Sequence, residues 1–316
     1  MKALITGVDG FIGSHLADLL VEKGWEVWGT TLRGDLDNVA HLKNQLTVRR
    51  CDVRERARLK AVLRESKPDV VFHLAAQSRP DLSWKDPYLT MEVNVLGTVN
   101  LFESVRELGI EPKIVVACSS SQYGFLKKGK ITEEHPFHPL SPYAVSKAAQ
   151  DLMAYQYFQN YGMKTYRARI FGTTGPRKVG DACADFATQI VRIKAGKKEP
   201  VIRVGNLEAK RDLTDVRDTV RALWLISERG REGEAYNICS SKAIRIGDIL
   251  ETMLEMAKIE AKIEVDPAKL RPSDEPIIVG SNAKIRKHCG WKPRIPMRKT
   301  LLDILEYWQS CLVKMF

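Results

Sequence analysis

The strongest constraint in this sequence is a rhythm. Over the first 172 residues, short segments that are apolar throughout alternate with longer segments whose apolar residues recur at helical spacing. Residues 3–6, 25–31, 46–48, 69–74, 114–117 and 164–170 read as strands, and residues 11–23, 54–65, 89–108 and 141–161 read as helices. Gly24 stops the first helix, and Ser141-Pro142 opens the last. A strand apolar on both sides is buried on both faces, and an intervening helix brings the chain back to start the next strand in the same direction. The pattern therefore predicts an α/β fold, a doubly wound parallel sheet covered by helices on both sides. Beyond residue 172 Pro and Gly become frequent and the elements look shorter. We expect a smaller α/β substrate-binding region built mainly from residues 173–213 and 240–316, with residues 214–239 returning to the first region.

Bulk properties narrow the function classes. The sequence contains no run of 18 or more apolar residues, and its start lacks the apolar core and small-residue site of a signal peptide, so we expect no membrane partner. The six cysteines have neither disulfide-framework nor zinc-site spacing and fit a reducing cytoplasm. His135 and His138 form an H-x-x-H in a Pro-rich loop, too small a ligand set for a metal. The net charge of +11 is spread along the chain without aromatic interleaving. It reads as solvated loops rather than a nucleic-acid surface, and it suits steering of an anionic small substrate.

The first chemical motif is GVDGFIG, residues 7–13, between the first strand and the first helix. Gly7, Gly10 and Gly13 let the backbone turn tightly and approach a pyrophosphate, while the helix start supplies free N–H groups. This context predicts a Rossmann-type dinucleotide site, residues 1–172. The second strand ends without the acid that grips an NAD ribose. Thr30 and Arg33 offer partners for a 2′-phosphate instead, which favours NADP; Asp35 and Asp37 lie just beyond and keep NAD open. Asp52 is either an adenine partner or a turn residue.

The second motif is Tyr143 and Lys147, four residues apart and so on one helix face. A phenol is a poor acid or base near neutrality, and a neighbouring ammonium lowers its pKa. Such a phenol exchanges a proton with an alcohol or carbonyl oxygen while hydride moves at carbon.

With GVDGFIG stand HLAAQS (73–78), NVLGT (94–98), SSSQYG (119–124), SPYAVSK (141–147), RIFGTTGP (169–176), KRDLTDVRD (210–218) and LRPSD (270–274), all in order. From Met1 to about Trp308 the chain resembles the extended short-chain dehydrogenase/reductases that act on nucleotide sugars. The resemblance implies that Ser119 hydrogen-bonds the reacting oxygen, that Tyr143 is the acid/base, and that Lys147 holds the nicotinamide ribose. It adds Phe11, Ile12, Val53, Leu74, Ala75 and Ala76 to the cofactor contacts.

Within that family SW-x-x-P (83–87), VGNLEAKRD (204–212), LRPSD and GWKPRIP (290–296) resemble the GDP-mannose branch, whose members are GDP-mannose 4,6-dehydratases and GDP-4-keto-6-deoxy-mannose reductases. Arg211 and Arg271 are then expected to clamp a substrate diphosphate with paired charge-assisted bonds, and Asp274 to accept from the GDP ribose. Ser83, Ser120, Ser121, Gly172 and Asn206 complete the implied substrate contacts.

Two departures bear on the reaction. Dehydratases of this type carry Thr-x-Glu where this chain has Ser119 and Ser121, and a serine hydroxyl is no base without its own activator. Reduction of a C4 ketone needs no second base, so the sequence leans to an NADPH-dependent reductase of a GDP-4-keto-6-deoxy sugar. A dehydratase or 4-epimerase with the same tyrosine stays open, with Glu133 and Glu134 as distant carboxylates, and so does a non-catalytic dinucleotide- or RNA-binding protein on the same fold. The family's Asn after Arg-Ile-Phe is Gly172 here, which leaves the sugar open and raises the idea of room for a heptose. Apolar residues beyond one face of helices 89–108 and 141–161 favour a homodimer over burial within one chain.

Overall fold

The computed structural model of the chain describes residues 1–125, 129–270 and 277–314. Its central sheet holds seven strands: β1 (Lys2–Thr6), β2 (Glu26–Thr31), β3 (Leu46–Arg50), β4 (Val70–His73), β5 (Lys113–Ser119), β6 (Thr165–Ile170) and, after three strands of the second region, β10 (Ala235–Ile238). Their spatial order is β10-β6-β5-β4-β1-β2-β3, and every pairing is parallel. The chain grows from β1 in one direction through β2 and β3, then crosses back to β4 on the other side. That reversal opens a crevice beyond the carboxyl ends of β1 and β4, where α/β folds of this kind bind ligands.

Strand alternation feeds two cores. Ala3, Ile5, Phe72 and Val115 face Leu16 and Leu20 of α1 (Phe11–Glu22), with Val220, Leu223 and Ile226 of the later helix Val216–Arg229. Leu4, Val71, Ile114 and Val116 face the other way, against Leu59 and Leu63 of α2 (Arg56–Ser66), with Leu101, Phe102 and Tyr157. Burying one such aliphatic or aromatic side chain contributes about 1.5–3 kcal/mol, so this double layer is the main cohesive term.

The segment expected as one helix over 89–108 is three pieces. A short α3 (Pro80–Lys85) precedes α4 (Pro87–Met91), a π-helical turn (Glu92–Leu96) and α5 (Gly97–Leu108). The wider turn sets Asn94 inward, where it accepts from Gln77 N at 2.8 Å and donates to Gln77 O at 3.1 Å and Ser146 Oγ at 2.9 Å. Periodicity alone does not show that one buried amide is worth a distorted turn.

The second region centres on β9 (Lys210–Asp215), which pairs with β7 (Gly172–Thr174), β11 (Ala243–Arg245) and β13 (Ile277–Ile278). A separate pair joins β8 (Val201–Val204) to β12 (Lys262–Val265). Around them pack α7 (Ala182–Lys194), α9 (Ile246–Ala257) and α11 (Met297–Lys314), with Phe186, Ile190, Leu250, Met253 and Ile304 in one core. The intervening α8 is the Val216–Arg229 helix, which lies beside α1. The 18-residue α11 is longer than the sequence suggested for this region; its Leu301, Ile304, Leu305, Trp308 and Leu312 carried a helical signal that Pro-rich surroundings obscured. Ile285 and Cys289 of α10 (Ala283–Cys289), with Trp291, pack into the first core rather than the second.

The long helix α6 (Pro142–Tyr161) is capped by Ser141, whose side chain accepts from Ala144 N. It is pinned to β6 by a buried charge cluster. Asp151 accepts from Arg169 Nε at 2.7 Å and Nη2 at 3.0 Å, from Arg167 Nη1 at 2.9 Å and from Gln122 Nε2 at 2.9 Å. Burial pushes the Asp151 pKa up, but Arg169, Arg167 and Gln122 together hold it below the usual carboxylate value. The cluster's stabilisation is therefore present above the unfolded value of about 3.9 and is lost as pH falls through the lowered folded one. Replacing Asp151 by Ala leaves Arg169 buried and unpaired, and we expect a loss of about 3–5 kcal/mol in urea-unfolding free energy.

Candidate active site

The crevice begins at the glycine loop. Gly7 has φ +72°, a conformation that suits glycine, and lies against Ala75. A Cβ on Gly13 would sit 2.2 Å from the Gly7 carbonyl oxygen. Gly10 is the α1 N-cap and supplies no side-chain cap, so the N–H groups of the first turn are left for another acceptor, and Phe11 and Ile12 lie half-buried at that turn. Facing it across the crevice are the half-buried Leu74, Ala75 and Ala76, just past β4.

Thr30 holds the loop from beneath. It is buried, and its Oγ1 accepts from Gly7 N at 3.3 Å, which supports the turn. Thr31 donates to Asp9 at 2.6 Å, which ties the loop to β2. Arg33 is exposed at the rim. Asp35 accepts from Asp37 N at 3.2 Å, a local turn bond. Asp52 pairs with Arg54 at 2.7 Å, which lowers its pKa, and Val53 is buried behind it against Gly97.

The candidate proton-transfer groups meet past the end of β5. Ser119 is the last residue of that strand and caps the 3₁₀ turn Ser120–Tyr123. Its Oγ accepts from Ser121 N at 3.2 Å and from Ser121 Oγ at 2.9 Å. With those bonds accepted, the Ser119 hydrogen is left to donate, and the Ser119 hydroxyl acts on the Tyr143 phenol to lower its pKa. Ser120 is half-buried at the start of the turn. The Lys147 ammonium lies 5.8 Å from the Tyr143 ring centre and donates to Ala117 O at 2.9 Å and to Gln150 Oε1 at 2.7 Å.

The electrostatics differ from the sequence expectation. Burial pushes the Tyr143 phenol up to about 12, and the Ser119 bond only partly opposes this. Burial likewise pulls Lys147 down to about 8. The ammonium is directed at a carbonyl and an amide, not at the phenol oxygen, and desolvation of both groups outweighs their mutual effect. A phenol in this state is protonated at neutral pH.

The substrate-side residues spread further. Arg211 lies on β9 and donates to Lys210 O at 3.0 Å, while Asn206 accepts from Glu208 N at 2.9 Å. Ser83 is buried with its hydroxyl on Pro80 O at 2.6 Å. Arg271 and Asp274 lie outside the described residues. A Cβ on Gly172 would meet Asp212 O at 2.7 Å and Leu213 Cδ2 at 2.6 Å. The space vacated there is filled by β9, so the glycine serves the β7–β9 pairing and opens no room for a larger sugar. Glu133 accepts from Asn237 N at 2.7 Å and is half-buried, and Glu134 is exposed.

Sequence reasoning missed Asp9, Gln122 and Gln150. Gln122 closes a capping box on Ser119, accepting from its N–H at 3.3 Å. Asp9 and Gln122 stand inside the glycine-loop and SSSQYG motifs, and Gln150 lies one turn past Lys147 on α6.

A parallel sheet with a glycine loop at its switch point and a Ser-Tyr-Lys cluster at the end of a neighbouring strand defines a hydride-transfer enzyme of the short-chain type. The family model described as GDP-mannose 4,6 dehydratase matches residues 4–304. A GDP-6-deoxy-D-mannose reductase of Pseudomonas aeruginosa is 31% identical over 98% of this chain and 97% of its own length. Among solved structures, the RMD of Pseudomonas aeruginosa in complex with NADPH superposes with TM-score 0.87 at 30% identity, covering 98% of this chain and 99% of that one. A UDP-glucose 4-epimerase of Thermotoga maritima, solved with UDP-glucose, reaches TM-score 0.90 at 25% identity over 99% and 100% of the two chains. The chain thus belongs to the GDP-mannose 4,6-dehydratase family, within the extended short-chain dehydrogenase/reductases.

Because the Gly13 position leaves no room for a Cβ, Gly13→Ala is expected to weaken NADPH binding at least about tenfold, read by cofactor fluorescence, while far-UV circular dichroism stays unchanged.

Proposed function

We propose that this protein uses NADPH to reduce the C4 ketone of a GDP-4-keto-6-deoxy sugar, of the type that converts GDP-4-keto-6-deoxy-mannose to GDP-rhamnose. The observation that carries the reading is the company of Tyr143. The groups acting on its phenol are the Ser119 hydroxyl and the Cys118 thiol, and no carboxylate stands among them. Position 121 is a serine engaged with Ser119, and Glu133 is held on Asn237 N. A dehydratase must strip a C5 proton, and among the described residues no carboxylate is in place to do so. The similar reductase and the NADPH-bound structure point the same way.

The residues fit a dinucleotide. The uncapped start of α1 receives the pyrophosphate, and Arg33 at the rim supports a 2′-phosphate, with NAD the alternative. Lys147 has spent two N–H bonds on protein acceptors and has the third for the nicotinamide ribose. The nicotinamide supplies the hydride when bound. Tyr143, protonated at working pH, gives its proton to the sugar O4 as C4 is reduced, and Ser119 donates a second hydrogen bond to that oxygen. Arg211, with Arg271 and Asp274, holds the GDP diphosphate and ribose, and the basic chain draws the anionic substrate in. On this reading residues 1–172 with 214–239 bind the cofactor, and residues 173–213 with 240–316 mainly bind the sugar nucleotide.

We further assign the protein to the cytoplasm as a homodimer. All six cysteines are free, and no helix among the described residues is long and apolar enough to cross a membrane. Tyr88, Leu96, Val145, Leu152 and Tyr155 leave apolar surface exposed on the segments around α4 and α6. A molar mass in solution twice the chain's 35.7 kDa is expected, and light scattering at one chain's mass would reject the dimer.

The decisive assay follows NADPH absorbance with GDP-mannose, alone and with a separate dehydratase. Oxidation is expected only with the dehydratase present, and Tyr143→Phe is expected to lower it about 10²–10⁴-fold. Keto-sugar formed from GDP-mannose by this protein alone would overturn the reductase in favour of the dehydratase.

A further inference from the structure

The hydrogen bonds that hold Lys147 do not end there. Gln150 accepts from Lys147 through Oε1 and donates through Nε2 to Thr98 Oγ1 at 2.7 Å. Thr98 donates to Asn94 O at 2.6 Å. Since that hydrogen is committed to a carbonyl, Thr98 Oγ1 is an acceptor for its other neighbours, Gln150 and His73 Nε2, the latter at 3.0 Å. His73 is then the Nε2–H tautomer, and its Nδ1 accepts from Thr6 Oγ1 at 3.0 Å. Thr6 Oγ1 in turn accepts from Leu74 N at 3.1 Å and Ala75 N at 3.0 Å, in the wall of the crevice.

The direction of this chain is fixed at both ends. Lys147 only donates, and the Asn94 carbonyl only accepts. Thr6, His73, Thr98 and Gln150 are all buried, so each bond is made away from competing water. One proton arrangement satisfies every member, and in it the Gln150 carbonyl faces the ammonium.

We propose that Gln150 is a positioning residue for Lys147: its amide, held from behind by Thr98 and His73, fixes the ammonium beside the Ala117 carbonyl and keeps it charged. The inference rests on the reading of Lys147 as part of the dinucleotide site, but not on which sugar is reduced.

The surroundings make the Gln150 carbonyl matter. Burial is what pulls Lys147 down to about 8. From β5 the Cys118 thiol faces it, itself pushed well above its ordinary value by burial. On α6 stand Tyr143 and, one turn on, Asp151, whose charge is engaged by Arg167 and Arg169 of β6. From β4 comes His73, which burial and then the Lys147 charge pull down to about 3, so it stays neutral. The π-helical turn and α5 present the uncharged Asn94 and Thr98. No free carboxylate among these pairs with Lys147; the acceptors that bond its ammonium are the Ala117 and Gln150 carbonyls.

Lys147 is protonated below its folded pKa, so loss of an acceptor brings deprotonation to lower pH and gain of a carboxylate moves it higher. The test is a titration of ¹³Cε-lysine resonances in the protein without substrate or cofactor, the Lys147 signal assigned by its absence in Lys147→Met. Gln150→Glu is expected to raise the Lys147 midpoint by about one pH unit or more, and Gln150→Leu to lower it by a similar amount. The alkaline limb of the kcat profile should move with it, while KM for the sugar nucleotide changes little. If Gln150→Leu does not fold, Gln150→Glu decides alone. A Lys147 midpoint unmoved in the folded variants overturns the inference, whatever the reductase assay returns. Moved midpoints in a protein that reduces no GDP-keto-sugar would leave Gln150 in its role and sink the proposed substrate instead.

Discussion

The site depends on where one helix is laid across two strands. α6 carries both Tyr143 and Lys147, and neither has a function unless the helix meets the sheet at the right height. Two buried interactions set that height. Near the start of the helix the Lys147 ammonium bonds to the Ala117 carbonyl of β5, and one turn further Asp151 is gripped by Arg167 and Arg169 of β6. The two strands are themselves in fixed parallel register, with Ala117 opposite Ala168 and Ser119 opposite Ile170. Charge in a dry interior is tolerated only with its partners in place, so these contacts hold the helix to a narrow range of positions. Ser119 then falls beside the phenol as a consequence of register.

A second consequence is chemical. Groups placed this deep lose solvation, and desolvation outweighs the pairwise attraction that spacing alone suggested. The phenol is pushed up to about 12 and the ammonium down to about 8. Such a phenol is protonated near neutral pH and can donate. The hydroxyl at position 121 serves the same end, since it fills the acceptor capacity of Ser119 and leaves that residue a donor. One serine in place of a carboxylate thus changes what its neighbour does as well as removing a base.

Much of this was legible beforehand because it is local. Six strands and most of the helices of the first region follow from apolar runs and spacing, within about two residues at their ends. The glycine loop, the Tyr143–Lys147 pair and the absence of a glutamate at position 121 are readable because each depends on neighbours in sequence. The π-helical turn was not, since it answers to Gln77 and Ser146, which are remote in sequence. Thr30 lies near the end of β2, and only the approach of Gly7 shows that its hydroxyl accepts from the glycine loop. Gly172 was read as vacant space, but the strand that fills that space lies some forty residues on.

By itself, then, the sequence determined the layered α/β architecture, the glycine loop and the Tyr143–Lys147 pair, because periodicity and short-range spacing encode them directly. Only the tertiary structure decided how deeply those groups are buried, the partner that holds Lys147 and the contacts of Thr30 and Gly172. Burial and hydrogen bonding between segments far apart in the chain control those properties, and neither has a period that can be read along it.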